Sequence, residues 1–298
     1  MTYPPNLMER TPGWSSSYPI WFYRNHPDNA SKDANILYLH WHEHFEIIDM
    51  QFGQAVFHID SRPYEVAAGD LLFIPSGALH VGYSTADEEL EYVAVVFNAA
   101  LLRVLPPDPA YERYILPYLD GRVHFPAKLP ASDELAEPFR RLIRESTAEF
   151  ELKPPAYELV IKHNFQLLFT RLSRQYLPDK FADKPVPARH SESFKPLIEY
   201  LEAHIAEPLS VEQAAKMVHL NPYHFCKTFK KMTGRTFVDY MNGLRIHEAD
   251  RLLRETDATV TQIAERIGCG NPNYFTKLYK KYKNYPPSEA RRRSLPPY

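Results

Sequence analysis

Four side chains in this sequence have the types and spacing for ligand chemistry: His40, His42, Glu46 and His80. The first three form His40-x-His42-x3-Glu46, inside a stretch (Ile36–Ile48) rich in aromatic and branched residues, the composition of a strand. Alternation along a strand puts His40, His42, His44 and Glu46 on one face. His80 closes a second pattern, Gly69-x5-Pro75-x-Gly77-x2-His80, which reads as turn, strand and turn. Imidazoles with a carboxylate suit Mn, Fe, Ni or Zn. The same groups also suit hydrogen bonds to a hydroxyl-rich ligand such as a sugar, or plain structural packing, and the spacing leaves all three open.

A second set of residues occurs twice. Asn221-Pro222-Tyr223-His224-Phe225-Cys226-Lys227-Thr228-Phe229-Lys230-Lys231 is answered fifty residues on by Asn271-Pro272-Asn273-Tyr274-Phe275-Thr276-Lys277-Leu278-Tyr279-Lys280-Lys281. Asn at the N-cap and Pro at the first helical position open a helix in each copy. Aromatics at i and i+4 give one buried stripe, and a Lys pair closes the last turn. Ser210-x-x-Gln213 and Thr259-x-x-Gln262 read as capping boxes that open a preceding helix. Ala215 and Ala264 leave room for a second helix, and tight turns follow at Val218–Leu220 and Gly268–Gly270. Each copy is therefore a helix-turn-helix, with the second helix placed to enter a major groove. A helix over Phe237–Leu253, apolar at Tyr240, Leu244, Ala249, Leu252 and Leu253, joins the copies at a fixed distance. The Lys residues and Asn273 are the types that donate to guanine or pair with adenine, and Lys pairs neutralise phosphates.

Charge agrees with this division. The 298 residues carry a formal net charge of −2, yet residues 191–298 hold 17 Lys and Arg against 12 Asp and Glu, a balance of +5. Residues 1–190 balance at −7. A polyanion is drawn to the C-terminal third and repelled by the rest. Two cysteines, Cys226 and Cys269, are too few for a disulfide framework and fit a reducing, cytoplasmic setting. No apolar run reaches the ~20 residues a membrane helix needs, and no signal peptide is visible at the N-terminus.

Other elements must position these side chains. From Ile20 to Asn98 short strands separated by turn residues suggest a barrel or sandwich. Leu135, Phe139, Leu142 and Ile143, then Leu168, Phe169 and Leu172, follow helical spacing. Such a long apolar stripe suggests a dimer contact through helices between 135 and 177. The expected division is a ligand-sensing and dimerisation domain over 1–180, a linker over 181–193 and a DNA-binding domain over 194–298. With its net positive charge and self-contained apolar stripes, the segment from about His190 onward is expected to fold and bind DNA alone.

The stretch from Phe194 to Arg293 resembles the DNA-binding domain of the AraC/XylS family of bacterial transcription regulators. Ile263-Ala264, Gly268, Tyr274-Phe275, Lys280-Lys281 and Pro287-Ser288-x-x-Arg291 carry the match. Asn284 stands where that family usually has Gly, and Asn also accepts the left-handed conformation. The resemblance implies base contacts by Tyr223, Cys226 and Lys227 and by Asn273, Thr276 and Lys277. By their charge, Lys230, Lys231, Lys280, Lys281 and Arg291–Arg293 are the residues for phosphates, with His224 and Tyr274 in the same DNA-binding set. The two histidine patterns resemble the paired motifs of cupin barrels, with Ser84 in place of a usual Asn. That resemblance implies that His40, His42, Glu46 and His80 meet inside a barrel. Separately from it, the aromatics Trp14, Trp21, Tyr23 and Tyr92 are candidate ligand contacts, able to stack on a sugar ring. The fold class expected is α+β: an N-terminal cupin-type β-barrel with flanking helices, then an all-α domain of two helix-turn-helix units. The function expected is a ligand-responsive regulator, an activator of a carbohydrate-utilisation operon, acting as a homodimer with RNA polymerase as partner. A metal- or redox-responsive regulator, or a metal-dependent cupin enzyme with a DNA-binding domain, are the alternatives; no enzymatic activity is expected.

Overall fold

The protein is described here from a computed structural model covering residues 18–27, 32–103, 108–176 and 190–293. Residues 181–189 of the expected linker lie outside that range, and His190–Phe194 is a short 3-10 helix.

Nine strands make two antiparallel sheets among the described residues. β1 (Ile20–Asn25), β8 (Glu91–Phe97), β3 (Phe45–Phe52), β6 (Leu71–Ile74) and β9 (Lys128–Leu129) form one sheet in that order. β2 (Asn35–His40), β7 (His80–Ser84), β4 (Gln54–Ile59) and β5 (Arg62–Ala67) form the other. The single strand expected over Ile36–Ile48 is instead two, broken at residues 41–44. β2 and β3 belong to opposite sheets, so the chain must cross between them. The Pro75–Ala78 turn holds the crossing: the Gly77 amide donates to the His42 carbonyl at 2.8 Å and the Ser76 hydroxyl to the Glu43 carbonyl at 2.9 Å.

The inner faces share a core that includes Ile48, Met50, Phe57, Leu72, Ile74 and Tyr92. Gly82 on β7 is required there, because a Cβ would lie 2.6 Å from the Phe57 ring. After two short helices, α1 (Pro109–Tyr114) and α2 (Leu116–Leu119), α3 (Ala136–Leu152) and α4 (Tyr157–Tyr176) bury the outer face of the five-stranded sheet as well. Phe139, Ile143, Phe165 and Leu168 share a core with Ile47, Val95 and Phe97. That double burial explains the unbroken apolar run of β8, which alternation alone does not produce. An ion pair between Arg140 Nε and the buried Asp49, 2.8 Å long, fixes α3 to β3. Most of the α3–α4 stripe is spent on the sheet, and Leu152 and Leu159 are its exposed large apolar residues.

The C-terminal helices are α5 (Lys195–Ala203), α6 (Val211–Met217), α7 (Pro222–Thr233), α8 (Phe237–Glu255), α9 (Val260–Arg266), α10 (Pro272–Lys283) and α11 (Pro287–Arg293). Both capping boxes form, at Ser210/Gln213 and Thr259/Gln262. α8 serves two cores: Tyr240, Met241 and Leu244 join α5–α7, while Ile246, Ala249 and Leu253 join α9–α11. Asn284 ends α10 in the left-handed conformation, as Gly234 ends α7.

The first of these cores is not self-contained. It includes Leu39, Leu79, Val81 and Tyr83 from the outer side of the four-stranded sheet. The expectation that residues from His190 onward carry closed apolar stripes of their own is corrected to that extent. Excising them uncovers apolar surface on the first unit.

His247 of α8 packs on Tyr38 across this seam, with ring centroids 4.1 Å apart. Burial, followed by the charge of Lys283, pushes its imidazole down to about 4. Since unfolded His titrates near ~6.5, the folded chain binds fewer protons in between. The stabilisation is therefore complete above about pH 6.5 and lost as pH falls toward the folded value. Equilibrium unfolding of the chain and of His247→Gln is expected to diverge by about 3 kcal/mol across that window. Superimposable pH profiles would contradict it.

Candidate functional site

His40 ends β2, His42 lies in the crossing, Glu46 sits on β3 and His80 opens β7, so both sheets contribute. Their potential ligand atoms all lie within 4.8 Å of one another, and all four residues are buried. The structure thus brings together residues from two strands of one sheet, one strand of the other and the crossing between them.

Each imidazole is oriented in the same way. His40 Nδ1 donates to the Tyr38 carbonyl at 2.7 Å, His42 Nδ1 to the His44 carbonyl at 3.0 Å, and His80 Nδ1 to the Ala78 carbonyl at 2.9 Å. A carbonyl oxygen only accepts, so Nδ1 carries hydrogen in all three. In a neutral ring Nε2 is then a lone pair. Yet His42 Nε2 and His80 Nε2 lie 3.1 and 3.0 Å from the same Glu46 oxygen, Oε2. Two lone pairs facing a carboxylate oxygen require positive charge among them, from protons or a cation. Burial alone would raise the Glu46 carboxyl, but the His80 and His42 contacts outweigh it and hold it far below the usual range. Burial, reinforced by His80 and His42, drives the His40 imidazole strongly down, toward the neutral ligating form. Backbone-anchored histidines beside a carboxylate form a donor set that fits one divalent ion.

His44 does not join the cluster; its ring packs edge-on to Trp21, with centroids 5.8 Å apart. Trp21 and Tyr23 lie on β1 and Tyr92 on β8, outside the four-residue cluster, and Trp14 falls outside the described residues. The Tyr92 hydroxyl donates to the Ile36 carbonyl at 2.9 Å within the inter-sheet core.

At the other end, α7 and α10 present matching surfaces. The Asn221 side chain accepts from the His224 amide at 2.9 Å, and Asn271 accepts from the Asn273 and Tyr274 amides at 2.9 and 3.2 Å. Phe225, Phe229, Phe275 and Tyr279 are fully buried, which fixes the opposite faces outward. Tyr223, His224, Cys226, Lys227, Lys230 and Lys231 are exposed on α7. On α10 Asn273, Tyr274, Lys277, Lys280 and Lys281 are exposed, while Thr276 is half-buried and donates to the Pro272 carbonyl. Arg291 lies on α11; its side chain is outside the described residues.

One functional group escaped the sequence reading. Asp250, buried on α8, accepts hydrogen bonds from the hydroxyl of Tyr279 and from Lys283 Nζ at 3.0 Å, and pairs with Arg254 Nε at 3.3 Å. Its carboxylate ties α8 to α10. The signal was present: Tyr279 stands fifty residues after Phe229, and the added hydroxyl needs a buried partner.

Comparisons with known proteins follow the same division. Residues 34–169 match the family model of the AraC-like ligand binding domain, and residues 214–293 match a helix-turn-helix domain model. The helix-turn-helix transcriptional regulator YdeC of Bacillus subtilis is 24% identical, covering 95% of this chain and 94% of the relative. The transcriptional activator RhaS of an Enterobacter species is 27% identical, covering 85% of this chain and 86% of its own. A crystal structure of ToxT from Vibrio cholerae is 16% identical, with a TM-score of 0.44, covering 93% of this chain and 100% of that one. No helix among the described residues is long and apolar enough to cross a membrane. With a ligand-binding domain followed by two helix-turn-helix units, and relatives that are regulators over nearly their whole length, the chain belongs to the AraC family of DNA-binding transcription regulators.

Proposed function

We propose that this regulator senses a divalent metal, or a ligand held through one, at His40, His42, Glu46 and His80. The observation that carries it is the shared orientation of the imidazoles, each held by a carbonyl at Nδ1 with Nε2 turned toward Glu46. A bound Mn, Fe, Ni or Zn ion would supply the missing positive charge and cross-link the two sheets. The chain's own residues already hold the donors and exclude water.

The finer reading follows the family. The protein acts as an activator of a carbohydrate-utilisation operon, with a sugar inducer and RNA polymerase as partners, and the naming of RhaS relatives as activators supports the first part. It acts in the cytoplasm as a homodimer through α3 and α4, whose exposed Leu152 and Leu159 are available for such a contact. The functional division follows 1–180, 181–193 and 194–298.

In this reading Tyr223, Cys226 and Lys227 on α7 and Asn273, Thr276 and Lys277 on α10 read bases. The Lys pairs and Arg291 neutralise phosphates, and His224 and Tyr274 flank them. Exposure of the two Lys-bearing faces supports the assignment. Lys277→Ala is expected to cost about 1–3 kcal/mol and relax preference at one base position. Lys281→Ala is expected to weaken all sequences evenly and to lower the salt slope by about 1. Selection from a randomised operator library tests both; uniform loss in both variants would overturn the division. A thermal-shift screen against metal salts and a sugar panel tests the sensor side, because a ligand specific to the folded state raises the melting temperature.

A further inference from the structure

The two helix-turn-helix units share a fold but not a setting. The core of the first contains Leu39, Leu79, Val81 and Tyr83 of the sensor sheet. The core of the second consists of residues from α8 to α11 and their turns. Most contacts to the sensor sheet surround the first unit; from the α8 stretch that carries the second core, His247 also packs on Tyr38. Lys195 Nζ at the start of α5 lies 3.9 Å above the Trp41 ring. The Arg235 guanidinium lies 4.2 Å over the Tyr83 ring and donates to the Asp33 carbonyl. Gly234, the left-handed end of α7, sits so close to β4 that a Cβ would meet His58 Nε2 at 2.5 Å.

The seat and the ligating cluster use the same strands. On β7 His80 points inward to Glu46, and Val81, one residue on, belongs to the first unit's core. On β2 His40 points into the cluster, while Leu39 packs on the first unit. Successive residues of a strand face opposite ways on one backbone, so a shift of His80 also shifts Val81. Close-packed interfaces answer such shifts by changing arrangement rather than stretching.

We propose that filling of the His40–His42–Glu46–His80 cluster is communicated to the first helix-turn-helix unit and not to the second. β2 and β7 carry the change, and Arg235 and Lys195 hold the seat. This rests on the reading of the cluster as the sensor site. The second unit then reads its half of the operator regardless of ligand, and the first is the switched reader. The ligand acts by preferring one of two seatings of α5–α7.

Hydrogen exchange on the full-length protein, with MnCl2 or with chelator, tests this; calorimetry on the same sample records whether Mn binds. The expected result is binding, with exchange in α5–α7 changed about tenfold and α9–α10 unaltered. Binding with both units changed alike, or with the change confined to the sensor strands, would overturn it. If neither Mn nor, in parallel titrations, Fe(II), Ni or Zn binds, the metal reading of the cluster fails and the communication falls with it. The one-sided seat is then judged on the metal-free protein. There Arg235→Ala and, independently, Lys195→Gln are expected to speed exchange in α5–α7 about tenfold and spare α9–α10. Equal effects in both units, or none, would overturn the seat as well.

Discussion

Asp250→Ala is expected to destabilise the second helix-turn-helix unit by about 3 kcal/mol and to remove most sequence-specific DNA binding. The carboxylate is 8% exposed and gathers the Tyr279 hydroxyl, Lys283 and Arg254 around it. Removing it leaves the hydroxyl of the fully buried Tyr279 without its acceptor, which alone costs about 1–3 kcal/mol. Lys283 and Arg254 are partly exposed and recover water, so the figure stays at the lower end of what a broken buried pair costs. Burial by itself would raise the Asp250 carboxyl, but Lys283, Tyr279 and Arg254 together hold it below its ordinary value. The stabilisation is therefore present above the unfolded value of about 3.9 and lost as pH falls through the folded one. Chemical denaturation of Asp250→Ala and Asp250→Asn checks this, since Asn keeps an acceptor for Tyr279 and should lose less. Equal losses in both would show that charge, not the hydroxyl contact, dominates. No loss in either would remove Asp250 as the tie between α8 and α10.

Local chemistry in the sequence carried much of this architecture. Capping boxes, the Asn-Pro helix starts and paired aromatics at i and i+4 act within a few residues, so both helix-turn-helix units were legible from spacing. The turn at Asn284 was legible because only a few residue types accept its backbone. The cluster was legible by resemblance, but its stated geometry was wrong in one respect. A shared strand face was expected for His40, His42 and Glu46, and the chain instead crosses between sheets at residues 41–44. Alternation cannot reveal a crossing when the residues on either side are equally apolar. The seat of the first unit was hidden for a different reason. Leu79, Val81 and Tyr83 read as ordinary strand residues, and which partner covers an apolar face is a long-range fact. Asp250 was legible in principle, as a carboxylate set within the stripe of Ile246, Ala249 and Leu253.

Glu46→Gln is expected to abolish metal binding at the cluster, lowering affinity at least about a hundredfold, while leaving the metal-free protein as stable as its parent or slightly more so. The two halves of that result have one cause. In the parent, Glu46 Oε2 faces Nε2 of His42 and of His80 at 3.1 and 3.0 Å, and both rings carry hydrogen on Nδ1. Without a cation, that arrangement must recruit protons into a buried site. A glutamine amide donates hydrogen to the same lone pairs and needs no charge, so it satisfies the site that the carboxylate leaves waiting. It also removes the one anionic ligand, and with it the attraction for a divalent ion. A metal salt at about a hundred times its dissociation constant should stabilise the parent by about 2.7 kcal/mol and the variant by nothing measurable. His80→Ala should also lose the ion but, by leaving a cavity and an uncompensated carboxylate, should lower the metal-free melting temperature. Calorimetric titration and thermal unfolding of the three proteins, with and without chelator, distinguish the cases. If Glu46→Gln instead destabilises the metal-free protein strongly, Glu46 is paired with imidazolium in the resting molecule and the cluster is a buried ion network. If the variant keeps the parent's metal response, the ion binds elsewhere and these four residues do not hold it.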